Sequence, residues 1–263
     1  MQPLRSKAHI QKKKQSKRKM LILLPITMAV LLGGFFYYAF ASRFHVQQVI
    51  VSGTSFIKKE AVEASVDSML KTTLWGFVPR MSPLLIGNKL IAATLAHEYP
   101  AIDHVKVDIH DDALFIDITE RKAVSIMCSS SSVCYYLDIK GFAFAPAPTF
   151  EGSAFLKIAT FEKELSVAQY LVPSEELERI IKIVEIYKSQ GLIVQYVSFE
   201  SADQMNIVTV GDTAFIVRRQ DSVKSVQERL QALLSSRPEV KQGGYEYVDL
   251  RIESKIFLKN KES

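Results

Sequence analysis

Residues 20–41, MLILLPITMAVLLGGFFYYAFA, contain no charged side chain. A helix of that length, rising ~1.5 Å per residue, covers about 30 Å, the hydrocarbon thickness of a bilayer. Lys19 and Arg43 bracket the run. Tyr37 and Tyr38 fall near one end, where an interfacial aromatic belt would hold them. Pro25 lies in the first turns, where a missing N–H is tolerated. The pattern predicts a transmembrane helix over 20–41. Ala39-Phe40-Ala41 has the small-x-small form of a cleavage site. The apolar run nevertheless exceeds the ~7–15 residues of a signal-peptide core, so a retained anchor is expected.

Charge orients that anchor. Eight of the 33 basic residues lie within 1–19, which hold no acid, leaving 25 basic against 28 acidic residues elsewhere. The net +5 therefore belongs to the tail, and the body is slightly acidic. A basic tail alone could bind nucleic acid. Next to an apolar span it marks the cytoplasmic flank, so no nucleic-acid partner is expected. Residues 1–19 are then a cytoplasmic tail, and 44–263 lie outside the cytoplasmic membrane.

The body reads as two parts. FHVQQVIVSG, 44–53, alternates as a strand ending at Gly53. SFIKKEAVEASVDSMLK places Ile57, Ala61, Val62, Val66, Met69 and Leu70 at helical spacing, with Ser55 as candidate cap. A loop with Trp75, Phe77, Pro79 and Pro83 leads to a second helix over Asn88–Glu98, with Leu90, Ile91 and Leu95 inward and Pro100 as its stop. Residues 104–121 form a hairpin turning at Asp111-Asp112. The order over 44–121 is β-α-α-β-β, a three-stranded sheet covered by two helices. Over 122–263 follow strand, serine-rich turn, strand, a turn at Asp138–Gly141 and another strand. After the looser 146–173 come a helix over 174–190 (Ser174 cap, Gly191 stop), three strands, a helix over 223–237 and a last strand. The expected fold class is α+β: an N-terminal transmembrane helix, a small β-α-α-β-β domain, then a mostly antiparallel β-sheet domain with flanking helices.

Signals of catalysis are thin. HEYPAIDH begins like a zinc-protease helix, but residue 101 is Ala and Pro100 breaks the helix. His104, Asp108 and His110 share the outward face of the hairpin; a solvated strand face outweighs a metal site there. No glycine-rich phosphate loop, nucleophile elbow or Ser/His/Asp set stands out, so neither an enzyme nor a cofactor is expected. Cys128 and Cys134 flank a short turn. Outside the cytoplasm a disulfide is feasible if they face each other in a non-hydrogen-bonded pair; two buried thiols are the other reading.

YEYVDLRIESKIFLK, 245–259, alternates as one long strand. Val248, Leu250, Ile252, Ile256 and Leu258 fall on one side, and Tyr245, Tyr247, Asp249, Arg251, Glu253, Lys255 and Phe257 on the other. It is expected to join the strands at 205–218 and to leave its outer edge open. No proline blunts that edge, which suits β-augmentation by a partner strand.

The order of these segments resembles the FtsQ/DivIB family of bacterial cell-division proteins. FHVQQVIVSG looks like the opening strand of that family's POTRA domain. HEYPAIDHVKVDIHDDALFIDITERKAV is similar to its helix-Pro-strand-turn-strand ending in Glu120-Arg121. YYLDIKGFAF, with Asp138 and Gly141, and YVDLR, Tyr247–Arg251, resemble its β-domain motifs. Ile252 stands where an aromatic is frequent, the Asp-Asp-Ala turn lacks the usual proline, and 146–173 matches no family motif. The resemblance implies a POTRA domain over 44–121 and a β domain over 122–263. It also implies a non-enzymatic divisome scaffold at the septum, binding FtsB-like and FtsL-like proteins and other divisome membrane proteins. The partner-binding residues implied are Tyr247, Arg251, Ile252, Glu253, Ser254, Lys255 and Ile256. The alternative is an extracytoplasmic transport or assembly module for envelope polypeptides, since POTRA units also handle such chains.

Overall fold

Strand alternation at the amino-terminal side builds a small sheet first. The computed structural model describes residues 23–37, 46, 48–71, 73–74, 78–79, 87–110, 113–148, 154–252 and 255–261. Residues 23–37 form helix α1, and all of its side chains are exposed. The rest of the expected 20–41 span, with Tyr38 and Ala39–Ala41, lies outside the described residues, as do Trp75, Phe77, Pro83 and the Asp111-Asp112 turn. Among the described residues no helix is long and apolar enough to cross a membrane. These residues divide into two compact units: one up to His97 with His104–Thr119, the other Glu98–Asp103 with Glu120 onward.

In the first unit, β1 (Gln48–Ser52) is followed by α2 (Lys59–Lys71), a short ribbon of β2 (Thr73–Leu74) and β3 (Val78–Pro79), α3 (Asn88–Glu98), β4 (Ile102–His110) and β5 (Ala113–Glu120). The sheet order is β1-β5-β4, with β1 parallel to β5. Leu114, Ile116 and Ile118 alternate inward and are buried, as are Val62, Val66 and Leu70 of α2 and Ile91 and Leu95 of α3. Two expectations change. α2 begins at Lys59, after Ser55: the first helical amides, of Ala61 and Val62, bond to the Lys58 carbonyl. Leu90 is exposed, because only the i, i+4 pair Ile91 and Leu95 faces the sheet. Gly53 has φ 81°, and a Cβ there would lie 2.0 Å from the Ile118 carbonyl oxygen, so this turn needs glycine.

The second unit is one ten-stranded sheet with two helices. Its elements are β6 (Ser125–Cys128), β7 (Cys134–Leu137), β8 (Phe142–Ala147), β9 (Leu156–Thr160), β10 (Gln169–Tyr170), α4 (Ser174–Ser189), β11 (Val194–Phe199), β12 (Gln204–Thr209), β13 (Thr213–Arg218), α5 (Val223–Ser236), β14 (Tyr245–Asp249) and β15 (Phe257–Asn260). The order is β10-β8-β7-β6-β9-β11-β12-β13-β14-β15. The sheet is mixed: β6–β9, β9–β11 and β13–β14 are parallel. Parallel neighbours need a crossover: α4 supplies it between β9 and β11, α5 between β13 and β14, and β7 with β8 between β6 and β9. β9 and β10 arise from the looser 146–173.

α4 and α5 cover one face. Leu177, Ile180, Ile183, Val184 and Tyr187 of α4, and Val226, Leu230, Leu233 and Leu234 of α5, share a core with Ile158, Val197, Met205, Ile207, Phe215, Val217 and Val248. Tyr187 and Phe215 meet edge to face, their ring centres 5.2 Å apart. Ser174 is the first helical residue of α4 and not its cap; Pro173 holds that place. Ser222 does cap α5, its hydroxyl accepting the Ser225 N–H. Arg121 ties the start of this unit together. Its Nη1 lies 2.6 Å from Asp138, its Nε donates to the Pro100 carbonyl, and its guanidinium sits 4.4 Å over the Phe142 ring. The 138–141 turn turns on Gly141, at φ 77°, where a Cβ would lie 1.9 Å from the Val172 carbonyl oxygen.

Candidate functional site

The residues 245–259 do not make one strand. β14 runs to Asp249, and the chain then turns back to pair antiparallel with itself as β15, with Val248 opposite Leu258 and Asp249 opposite Phe257. The cause is local. Oδ1 of Asp249 accepts the N–H of Arg251 at 3.0 Å, an Asx-type turn that competes with continued extension. The Arg251 guanidinium then closes on the same carboxylate, Nε at 3.0 and 3.1 Å and Nη2 at 2.6 Å. Its remaining fork nitrogen, Nη1, donates to Gln204 Oε1 at 3.1 Å, and Gln204 Nε2 donates to Asn206. Hydrogen bonds from the Arg251 side chain hold the Asp249 carboxyl below the ordinary carboxylate range, and the same bonds push the guanidinium up.

This network lies on the sheet face away from α4 and α5. Pairing puts Asn206, Ile216, Asp249 and Phe257 in one row across that face, and Val208, Ala214, Tyr247 and Lys259 in the next. Phe257 is 49% exposed there, while Leu258, on the other face, packs half-buried against the core. Lys259 Nζ bridges to Glu246 at 2.6 Å across the hairpin.

The sequence-predicted site residues therefore scatter. Tyr247 is half-buried on β14, and Arg251 is half-buried and engaged with Asp249. Ile252, expected on the buried side, is 44% exposed, because the chain has already left the strand. Lys255 is exposed and Ile256 is half-buried against the core. Glu253 and Ser254 lie outside the described residues. The edge falls to Phe257, Leu258, Lys259 and Asn260, of which sequence reasoning assigned none to binding. The Asp249/Arg251 spacing is the signal that could have found the turn.

Among the described residues β15 pairs on one side only. The other end of the sheet is built differently. β10 pairs through just Gln169 and Tyr170, Pro146 interrupts the donors of β8, and Ala168 precedes β10 at φ 66°. Short strands, proline, kinks and charged side chains are the ordinary means of blunting an edge. β15 has no proline, but it is only four residues long, carries Lys259 and pairs with β14 through a register shift, so it is less protected than β10 and not bare.

Elsewhere most polar groups are satisfied internally, with the buried Arg179 Nε, Ser125 hydroxyl and Tyr187 hydroxyl as exceptions among the described residues. A 310 Å³ notch is lined by Glu176, Arg179, Ala202, Asp203, Arg219 and Gln220. Arg219 already forks onto Glu176 at 2.9 and 3.1 Å and stacks 4.0 Å over Phe199. Asp108, of the hairpin face considered for metal, pairs with Lys106 at 2.7 Å, and His110 meets the Phe115 ring edge-on. Among the described residues no three His, Cys, Asp or Glu side chains are placed to hold a metal. Cys128 and Cys134 face each other across β6 and β7 with Cα atoms 4.0 Å apart and are joined as a disulfide. Ser129 N–H bonds to the Val133 carbonyl, which makes the adjacent 128/134 pair the close, non-hydrogen-bonded kind.

Fold and site thus define an α+β protein whose large mixed sheet ends in the two-residue β10 on one side and in the proline-free, four-residue β15 on the other. No protein-family model and no curated protein matches the chain.

Proposed function

We propose that this chain is a non-enzymatic, single-span scaffold of the bacterial division complex, of the FtsQ/DivIB kind that its motif order resembles. Its tail is cytoplasmic, its two units lie outside the cytoplasmic membrane, and it works at the septum. There it gathers FtsB-like and FtsL-like single-span proteins, coupling septum assembly to wall synthesis. The proline-free β15 edge, paired on one side only among the described residues, carries this reading. Its unused backbone groups offer a partner strand main-chain hydrogen bonds, and the exposed Phe257 and half-buried Leu258 offer side-chain contacts on its two faces. The first unit, with its β1-β5-β4 order and two covering helices, supports a POTRA-type assignment. Depletion in the native organism tests the proposal. Filaments that do not lyse are expected. Normal division with loss of outer-membrane proteins would overturn it in favour of an envelope-assembly module.

A further inference from the structure

A buried cation reaches the segment that follows β14. Arg229 lies on α5 in the stripe of Val226, Leu230 and Leu233, and its side chain is 9% exposed. A guanidinium so placed must satisfy its donors within the protein. Nη2 reaches Asp221 at 2.5 Å, Nη1 donates to the Leu250 carbonyl at 2.6 Å, and Nε donates to the Ser225 carbonyl at 3.2 Å. The same Asp221 oxygen accepts the N–H of Arg218 at the end of β13. One run of bonds therefore joins the ends of β13 and β14 to α5.

Leu250 is the last residue held from every side. Its N–H bonds to the Ile216 carbonyl at 2.9 Å, its carbonyl is taken by Arg229, and its side chain is fully buried. Two residues on, Ile252 stands in solvent. A residue fixed at N–H, C=O and side chain sets the direction in which the following chain departs. Arginine suits the task better than lysine because its planar fork reaches two acceptors on different segments, Asp221 and Leu250, at once.

We propose that Arg229 is a positioning residue that acts through Leu250 to set the return of the chain as β15, so that a buried charge on α5 defines the edge of the sheet. Its consequence for partner binding rests on the function proposed above; the positioning itself needs no partner. The test is peptide-resolved amide hydrogen exchange on the full chain in detergent, comparing the parent with Arg229→Lys and Arg229→Met. Exchange in Phe257–Asn260 should accelerate roughly tenfold in both variants, while β11 and β12 change by less than about twofold, a local rather than global opening. Unchanged exchange in Phe257–Asn260, or equal acceleration in β11 and β12, would overturn the proposal. If Arg229→Met does not fold, Arg229→Lys decides alone, since its ammonium keeps the charge but loses the fork. Affinity for the partner's extracytoplasmic segment is measured separately. Faster local exchange with unchanged affinity upholds the positioning and removes the docking role of the edge.

Discussion

Asp249 shows how one carboxylate can end a strand whose side-chain alternation continues. It takes the Arg251 N–H and guanidinium together, so the extended alternative would leave the pair open. Its folded pKa lies below the unfolded value of about 3.9. The sign follows: the pair stabilises the fold fully above that value, and the contribution is lost as pH falls through the lower folded pKa. The side chain of Arg251 is 40% exposed, so solvent screening limits the contribution to about 1 kcal/mol. Asp249→Asn keeps an acceptor for the N–H and removes the charge. Its Tm deficit relative to the parent should be constant near neutrality and shrink below about pH 4. Thermal melts at several pH values check this; a deficit that does not change with pH would show that the charge is idle.

At the scale of elements, periodicity was legible and interruptions were not. The core stripes of α4 and α5 and the strands β11, β12 and β13 follow from repeats at 3.6 and 2 residues, because burial of those side chains and the pattern have one cause. The 245–259 segment misleads for the same reason: Val248 and Leu258 share a face in a single strand and equally across a hairpin, so alternation cannot separate the two. β9 and β10 escaped because a central parallel strand and a two-residue edge carry little pattern of their own. The serine-rich turn was legible as a turn, and the geometry of β6 and β7 brings its cysteines together. The disulfide closes a separation of only six residues, so its entropic effect is modest, about 2 kcal/mol on the chain-entropy scale. Replacing both Cys128 and Cys134 by serine should leave a folded protein of lower Tm, with its circular dichroism spectrum unchanged. Loss of the folded spectrum would show that the bridge is required for folding.

At the scale of the molecule, the two-part α+β plan was readable from element order, since β-α-α-β-β and helix-separated strands each restrict the sheets they can build. The mixed character of the large sheet was not, because strand neighbours distant in sequence, such as β6 and β9, leave no local mark. The central claim concerns the last strand. Lys261 N–H bonds inward to the Gly244 carbonyl, so by the alternation of a strand the amides of Leu258 and Asn260 point outward. Asn260 is exposed, and proline there removes an outward donor while sparing the ladder to β14. The most direct measurement is therefore the affinity of the full chain and of Asn260→Pro for the extracytoplasmic segment of the proposed partner, an FtsB-like protein from the same organism. Binding should weaken by roughly tenfold or more, the range of one or two lost interfacial hydrogen bonds, with Tm unchanged. Equal affinity for parent and variant would contradict strand addition at β15.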